Sequence, residues 1–460
     1  MRSRRTVTTL AVVALLAAGC ADRGGSGTEG PSAADPAPVT VSADFGDLKD
    51  VCHTGSPKGS PAQGVTEKEI KVGVVSDVGF TKNSEFLDAA KVFTAWCNEA
   101  GGINGRKLVA TTHDTKMTEV RQRIADACRE DFVLAGGGGA LDGMGVKDRL
   151  SCLLPDFAAQ VTQAEADGSD LQIRTQARAI TYAPYAGFYR WLLQEAYPAS
   201  AGSLGIIVGD SPSVKATGAK VVESMEAAGG TVGYQDLFPA AGVSDWTPYA
   251  QSIKNKNVRG LVFYGQYAQL AKLEQSLTNI GYKLDWIDAN NNAYTPAFLE
   301  LVGDQTLAAQ NNVADLSGIN ALENAAASPA TQKVVDLFAK YAPNAPVTLP
   351  VLRAFSSWLV FAKSAASCGD DLTRTCVYEA ARTEKAWTAG GLQAPVDLSN
   401  NDTPVSCFNV VQATPDGWRI PDFRPDSGPY RCDAPAVKLT GAYTGPVTLA
   451  DVGKSPADLK

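Results

Sequence analysis

The feature that most constrains this chain is an alternation of short apolar strands with amphipathic helices between residues 70 and 288. Residues 70–75 form a β-branched apolar run, and 85–99 then place Phe86, Ala89, Ala90, Phe93 and Cys97 along one helical face. The pattern predicts further strands at 107–112, 132–135, 153–157 and 173–175, with helices at 118–129 and 141–150. It resumes with strands at 204–208, 231–237, 260–264 and 286–288 and helices at 185–196, 215–228, 249–255 and 268–280. Short apolar strands between amphipathic helices imply βαβ units, and hence parallel sheets covered on both faces. So many units exceed one comfortable sheet, so the reading is an α/β chain of two lobes. Two more helices are expected at 352–366 and 372–382, followed by a Pro-, Asp- and Asn-rich stretch with short β runs such as 407–412.

The N-terminus sets the compartment. Arg2, Arg4 and Arg5 precede an apolar run over 7–18, and small residues lead to Cys20. An apolar run of about 12 residues is a secretory segment, since a bilayer-spanning helix takes about 20. The ending Leu-Ala-Ala-Gly-Cys resembles the lipobox of bacterial lipoproteins, with Leu16 one place earlier than usual and Ala17 in its position. That resemblance implies a signal peptide over 1–20, lipidation of Cys20, and a protein exported and held by lipid at the outer face of the cell membrane. Residues 21–64 are rich in Gly, Ser, Pro, Ala and Asp and read as a flexible tether whose end is pinned by Cys52.

With 45% hydrophobic residues the chain can bury a substantial core. A net charge of −8, with no basic cluster after Arg5, argues against nucleic acid or an anionic membrane surface as partner. Nine cysteines become eight once Cys20 is lipidated. Eight allow roughly a hundred connectivities; the favoured pairs are Cys128–Cys152, Cys368–Cys376 and Cys407–Cys432, with Cys52–Cys97 left by elimination. Oxidised pairs suit an exported protein. No C-x-x-C occurs and His53 and His113 are the only histidines, so no metal site or cofactor is expected. The same scarcity, with no G-x-S-x-G elbow, leaves an exported hydrolase little to build on, and the chain is read as a non-enzyme.

Residues 70–75 (Ile-Lys-Val-Gly-Val-Val), followed by a helix ending in Asn98-Glu99-Ala100-Gly101-Gly102-Ile103-Asn104-Gly105-Arg106-Lys107-Leu108, resemble the branched-chain amino acid binding-protein family. These are the type I solute-binding proteins of ABC importers. Gly101 and Gly102 suit a helix stop with positive φ, after which the strand restarts at Lys107. The likeness spans about 65–432. It implies a type I periplasmic-binding-protein fold, with lobe 1 over 65–180 and 308–400, lobe 2 over 181–307 and 401–432, and a tail over 433–460. It also implies three hinge crossings near Ala179, Gln310 and Asn400. A monomer would take a small carboxylate or amino-acid-like solute between the lobes and deliver it to a membrane permease. The same clamp also serves as a ligand sensor in receptors, which here would need a separate partner.

The resemblance also places a candidate site. Gly136-Gly137-Gly138-Gly139-Ala140 matches the loop that presents backbone N–H groups, and usually a serine hydroxyl, to a solute carboxylate. Here Ala140 takes the hydroxyl position, so Gly139 and Ala140 offer only backbone donors. In the loop 154–162 the family's Ser-Ala-Thr becomes Gln160, Val161 and Thr162, with Thr162 the best single polar contact and Gln160 an amide that donates and accepts. Phe263-Tyr264-Gly265-Gln266-Tyr267 resembles the family's Tyr-Gly-Gly-Tyr turn, with Tyr267 as wall or donor. Asn290 falls where amino-acid binders carry the glutamate that pairs with the ammonium, and an amide recovers only part of that interaction. Either Asp77 or Asp288 substitutes, or the solute is not a plain α-amino acid. Tyr182, Phe80 and Tyr294 are candidates for an apolar side of the cleft.

Overall fold

The computed structural model describes residues 41–177 and 180–460. Cys20 and the crossing expected at Ala179 lie outside the described residues.

Two sheets organise the chain. The first holds β1 (Glu69–Ser76), β2 (Lys107–Asp114), β3 (Val133–Ala135), β4 (Asp156–Ala158) and β5 (Gln172–Arg174), all parallel, in the order β2-β1-β3-β4-β5. The second holds β6 (Leu204–Gly209), β7 (Val232–Phe238), β8 (Gly260–Tyr264), β9 (Trp286–Asp288), β10 (Asn312–Asp315), β11 (Val410–Thr414) and β12 (Gly417–Arg419). Its order is β12-β11-β10-β9-β8-β6-β7, with β11 and β12 antiparallel additions to a parallel sheet. Central strands are apolar on both faces because helices cover both: every residue of β6 and β8 is buried. In each sheet the strand order reverses once, between β1 and β3 and between β6 and β8. Open α/β sheets bind ligands beyond the carboxyl ends of strands at such a reversal.

Lobe 1 is centred on the helix Leu349–Cys368, buried on nearly every side, which packs on the helix Glu85–Glu99 and on β4. Phe93, Trp96, Phe355 and Trp358 form its aromatic centre. Among the described residues no helix is long and apolar enough to cross a membrane.

Three expectations are corrected. Residues 41–64 are not a tether: Phe45 is fully buried against Trp96 and Phe355, Trp96 Nε1 donates to the Ser42 carbonyl at 3.0 Å, and Cys52 is bonded to Cys97. The segment is polar overall, and a few anchoring residues hold it to the lobe. The second crossing comes after β10, a strand of the lobe 2 sheet, so 308–315 belong with lobe 2. The tail is also folded, and it supplies a fourth connection. Residues 437–439 pair with 181–183, and Glu223 accepts from the Thr440 amide at 2.7 Å and the Gly441 amide at 3.0 Å. Val447 then pairs with Glu165 and Asp170 in lobe 1, and Leu449 and Leu459 are buried beside Val146, Leu150 and Val161.

Candidate functional site

Because β1, β3 and β4 are neighbours, the loops that leave them meet at one edge of lobe 1. Asp77 follows β1, Gly136–Ala140 follow β3, and Gln160–Thr162 follow β4. The glycine run is tightly packed. Gly136 has φ +66°, and a Cβ there would lie 2.2 Å from Trp358 Nε1; at Gly137 it would lie 2.6 Å from the Val75 backbone. Only glycine lets this loop sit so low on the sheet. A Cβ on Gly138 would strike Gln160 at 2.8 Å, and one on Gly139 would touch the Asp77 carboxylate at 3.4 Å.

Asp77 is nearly buried. One carboxylate oxygen accepts from Thr115 Oγ1 and, at 3.3 Å, from the Met117 amide; the other accepts from the Ala140 amide at 2.6 Å. The backbone donor expected at Ala140 is therefore held by a carboxylate of the chain itself. The next loop repeats the arrangement. Asp142 accepts from the Thr162 amide at 2.7 Å and the Gln163 amide at 2.9 Å, and burial pushes its carboxyl up to about 7 against those donors. The Thr162 hydroxyl oxygen is buried without a hydrogen-bond partner among the described residues, which costs about 1–3 kcal/mol unless another group supplies one. Val161 is turned into the small apolar cluster that holds Leu449, so it buttresses the loop from behind. Under both loops lies a cavity of about 40 Å³ lined by Gly137–Gly139, Asp142, Arg149, Asp156, Gln160 and Gln172, among others. Arg149 is buried there, its guanidinium donating to the carbonyls of Leu154, Leu171 and Asp170 and to Ser169 Oγ.

In lobe 2, Tyr267 opens the helix Tyr267–Asn279 after β8, and its ring meets Phe298 edge-on at 6.4 Å. Asn290 follows β9 with φ +62°; it is buried, its amide donating to Asp288 Oδ1 at 2.9 Å. Asp288 is buried too. It accepts from Tyr189 Oη at 2.7 Å, and burial pushes its carboxyl up to about 6. It is turned into the lobe, whereas Asp77, with three donors on a carboxylate that can accept about four, keeps one acceptor position on the oxygen that holds the Ala140 amide.

The structure thus brings Asp77, Gly139, Ala140, Gln160 and Thr162 together on lobe 1, while Tyr267 and Asn290 make their contacts within lobe 2. Tyr182 pairs with Lys438 of the tail. Tyr294 is buried, its hydroxyl donating to Glu323 and accepting from the Leu322 amide, where it ties lobe 2 to the second crossing. Phe80 stays 64% exposed beside Asp77. Sequence reasoning missed Asp142, which holds the Thr162 loop.

No curated protein sequence matches the chain. Among solved structures it resembles a fatty acid ABC transporter substrate-binding protein from Thermomonospora curvata, at 18% identity and TM-score 0.65, over 84% of this chain and 100% of that one. An ABC transporter substrate-binding protein from Sphaerobacter thermophilus is similar at 14% identity and TM-score 0.63, over 81% and 100%. A leucine-binding protein from Thermotoga maritima is similar at 14% identity and TM-score 0.61, over 76% and 97%. At these identities the likeness establishes the fold. A family model described as periplasmic binding protein matches residues 69–418, most of the sequence, and the chain belongs to that family.

Proposed function

We propose that this protein is the solute-binding component of an ABC importer, which takes a small solute between its lobes and hands it unchanged to a membrane permease. The family match over residues 69–418 carries the reading. The fatty acid and leucine binders among its structural relatives point the same way. So does the Thr162 hydroxyl on the loop after β4, which has no hydrogen-bond partner among the described residues. The two histidines are engaged outside it: His113 Nε2 lies 2.5 Å from Asp131 Oδ2 in the lobe 1 core, and His53 contacts the Asp50 carbonyl. The signal at the N-terminus adds export and a lipid anchor at Cys20, with the folded body acting as a monomer outside the membrane.

Thermal shift and calorimetry against a panel of small solutes test this, because a ligand that binds only the folded state raises the melting temperature by mass action. Thr162→Ala is expected to weaken the best ligand by about five- to tenfold, one hydrogen bond's worth, with little loss of stability. Unchanged affinity removes Thr162 from the site, and turnover of a bound solute by the purified protein replaces transport with catalysis.

A further inference from the structure

Both lobe 1 loops that would greet a solute spend backbone donors on the chain's own acids. Asp77 takes the Ala140 amide, and Asp142 takes those of Thr162 and Gln163. A third acid, Asp114, takes the Gly79 amide at 3.0 Å. The basic groups nearby are directed elsewhere: Lys82 Nζ donates to the Gly79 carbonyl, Lys116 Nζ to Glu119, and Arg149 to carbonyls and Ser169. A carboxylate brought to Gly139 and Ala140 would find the Asp77 carboxylate 3.4 Å from where a Cβ on Gly139 would sit and the Ala140 amide already taken. Like charges placed together at a site work against binding, and a buried carboxylate without its own donors is costly.

We infer that lobe 1 selects against carboxylates. The solute meets these loops with a neutral or cationic hydrogen-bond donor, an amine or amide, and Asp77 is the residue that sets the preference. Phe80, 64% exposed, lies three residues beyond Asp77, and Met144, 49% exposed, two beyond Asp142. Thr162 Oγ1 supplies a hydroxyl that accepts as readily as it donates. This assignment rests on the solute-binding reading above and narrows it by the charge of the ligand.

The test uses the full mature chain and ligands sharing an isobutyl group: isovalerate, L-leucine, L-leucinamide and isoamylamine, titrated by calorimetry at neutral pH. The amide and the amine are expected to bind at least about tenfold tighter than the two carboxylates. Asp77→Asn, which removes the charge and keeps an oxygen for the Ala140 amide, is expected to shrink that ratio by about tenfold. Because Asp77 also braces its loop, Asp142→Asn is measured beside it, and a folded variant of either kind reports the ratio. Isovalerate or L-leucine binding as tightly as the amide overturns the charge preference and leaves solute capture standing. So does a ratio untouched in both variants. Mass spectrometry of whatever the purified protein releases on denaturation separates the two claims. A released carboxylic acid defeats the inference alone, while no released solute and no binding by any of the four or by any member of the wider panel defeats the solute-binding reading with it.

Discussion

Lobe 1 carries three of the four bridges among the described residues, whereas lobe 2 carries one and leans more on packing. Cys52–Cys97, Cys128–Cys152 and Cys368–Cys376 all join elements of lobe 1, and the N-terminal segment and the end of the tail are laid onto the same lobe. The fourth bridge, Cys407–Cys432, sits where the chain re-enters lobe 2 beside Ala394 and Tyr430. Lobe 2 relies instead on aromatic contacts such as Phe238 stacked on Phe263 at 5.2 Å, with Trp246 against both. The buried acids differ in the same sense. In lobe 1 Asp77 and Asp142 hold amides of the loops after β3 and β4; in lobe 2 Asp288 holds the Asn290 amide but also the buried Tyr189 hydroxyl, and Glu274 meets only Asn312. On the solute-binding reading proposed above, the more heavily bridged lobe is expected to act as the fixed wall and the other to close on it.

The severest challenge to that contrast is Trp358→Ala. Trp358 is fully buried, stacks on Phe93 at 5.4 Å, and carries Gly136 on its indole edge. Truncation is expected to cost about 3–5 kcal/mol in urea denaturation, the range for a large core aromatic. It should also loosen the Gly136–Ala140 loop, read as a drop in solute affinity among molecules that remain folded. A loss below about 1 kcal/mol would mean that this wall is not braced by its core.

A middle-sized effect is expected from deleting residues 436–460. The tail is anchored on lobe 2 through Glu223 and on lobe 1 through Val447 and Leu449. Tyr443, whose hydroxyl also donates to Glu223, is four residue steps from Val447, a span of at most about 14 Å when extended. The tail therefore limits how far its two anchors separate when the hinge opens. Deletion should remove the buried Leu449 and Leu459, about 1.5–3 kcal/mol each, and widen the solute-free clamp. Small-angle scattering without solute measures the second effect, and a profile identical to that of the intact chain shows that the tail stabilises without restraining.

How much of this was legible beforehand follows from the kind of signal each part carries. Strands such as Gly260–Tyr264 and Trp286–Asp288, and the helix Glu85–Glu99, match the expected bounds because periodicity and local composition agree there. All four bridges join the favoured cysteine pairs. The helix Pro329–Tyr341 was passed over although it opens with Ser328, whose hydroxyl accepts from the Thr331 amide, and with proline at its first position. Residues 41–64 and the tail were not legible: each docks through a few separated side chains such as Phe45 or Leu449, and no period runs between them. The site was half legible. The positions of the lobe 1 loops follow from strand order, but Asp142 acts on Thr162 twenty residues away, a contact no local pattern records.

The smallest effect, and the one that isolates lobe 2, concerns Glu274 on the helix that Tyr267 begins. Its carboxyl is buried, takes one hydrogen bond from Asn312 Nδ2 at 2.7 Å, and leaves Oε1 without a partner among the described residues. Burial pushes it up to about 8. An unfolded glutamate titrates near pH 4.3. Between those values the folded chain holds the proton that the unfolded chain has released, so stability falls as pH rises from about 4.3 to 8. Asp142, Asp288 and Asp315, raised to about 7, 6 and 7, slope the same way, so the wild-type melt alone does not assign the trend to one group. Glu274→Gln does, because the amide oxygen still accepts from Asn312 while no charge forms. Its melting temperature should lie close to wild type at pH 5, where the wild-type carboxyl is neutral, and above it at pH 9. Melting curves that stay parallel across that range would place the carboxylate in a better-solvated setting than the packed interior of lobe 2 provides.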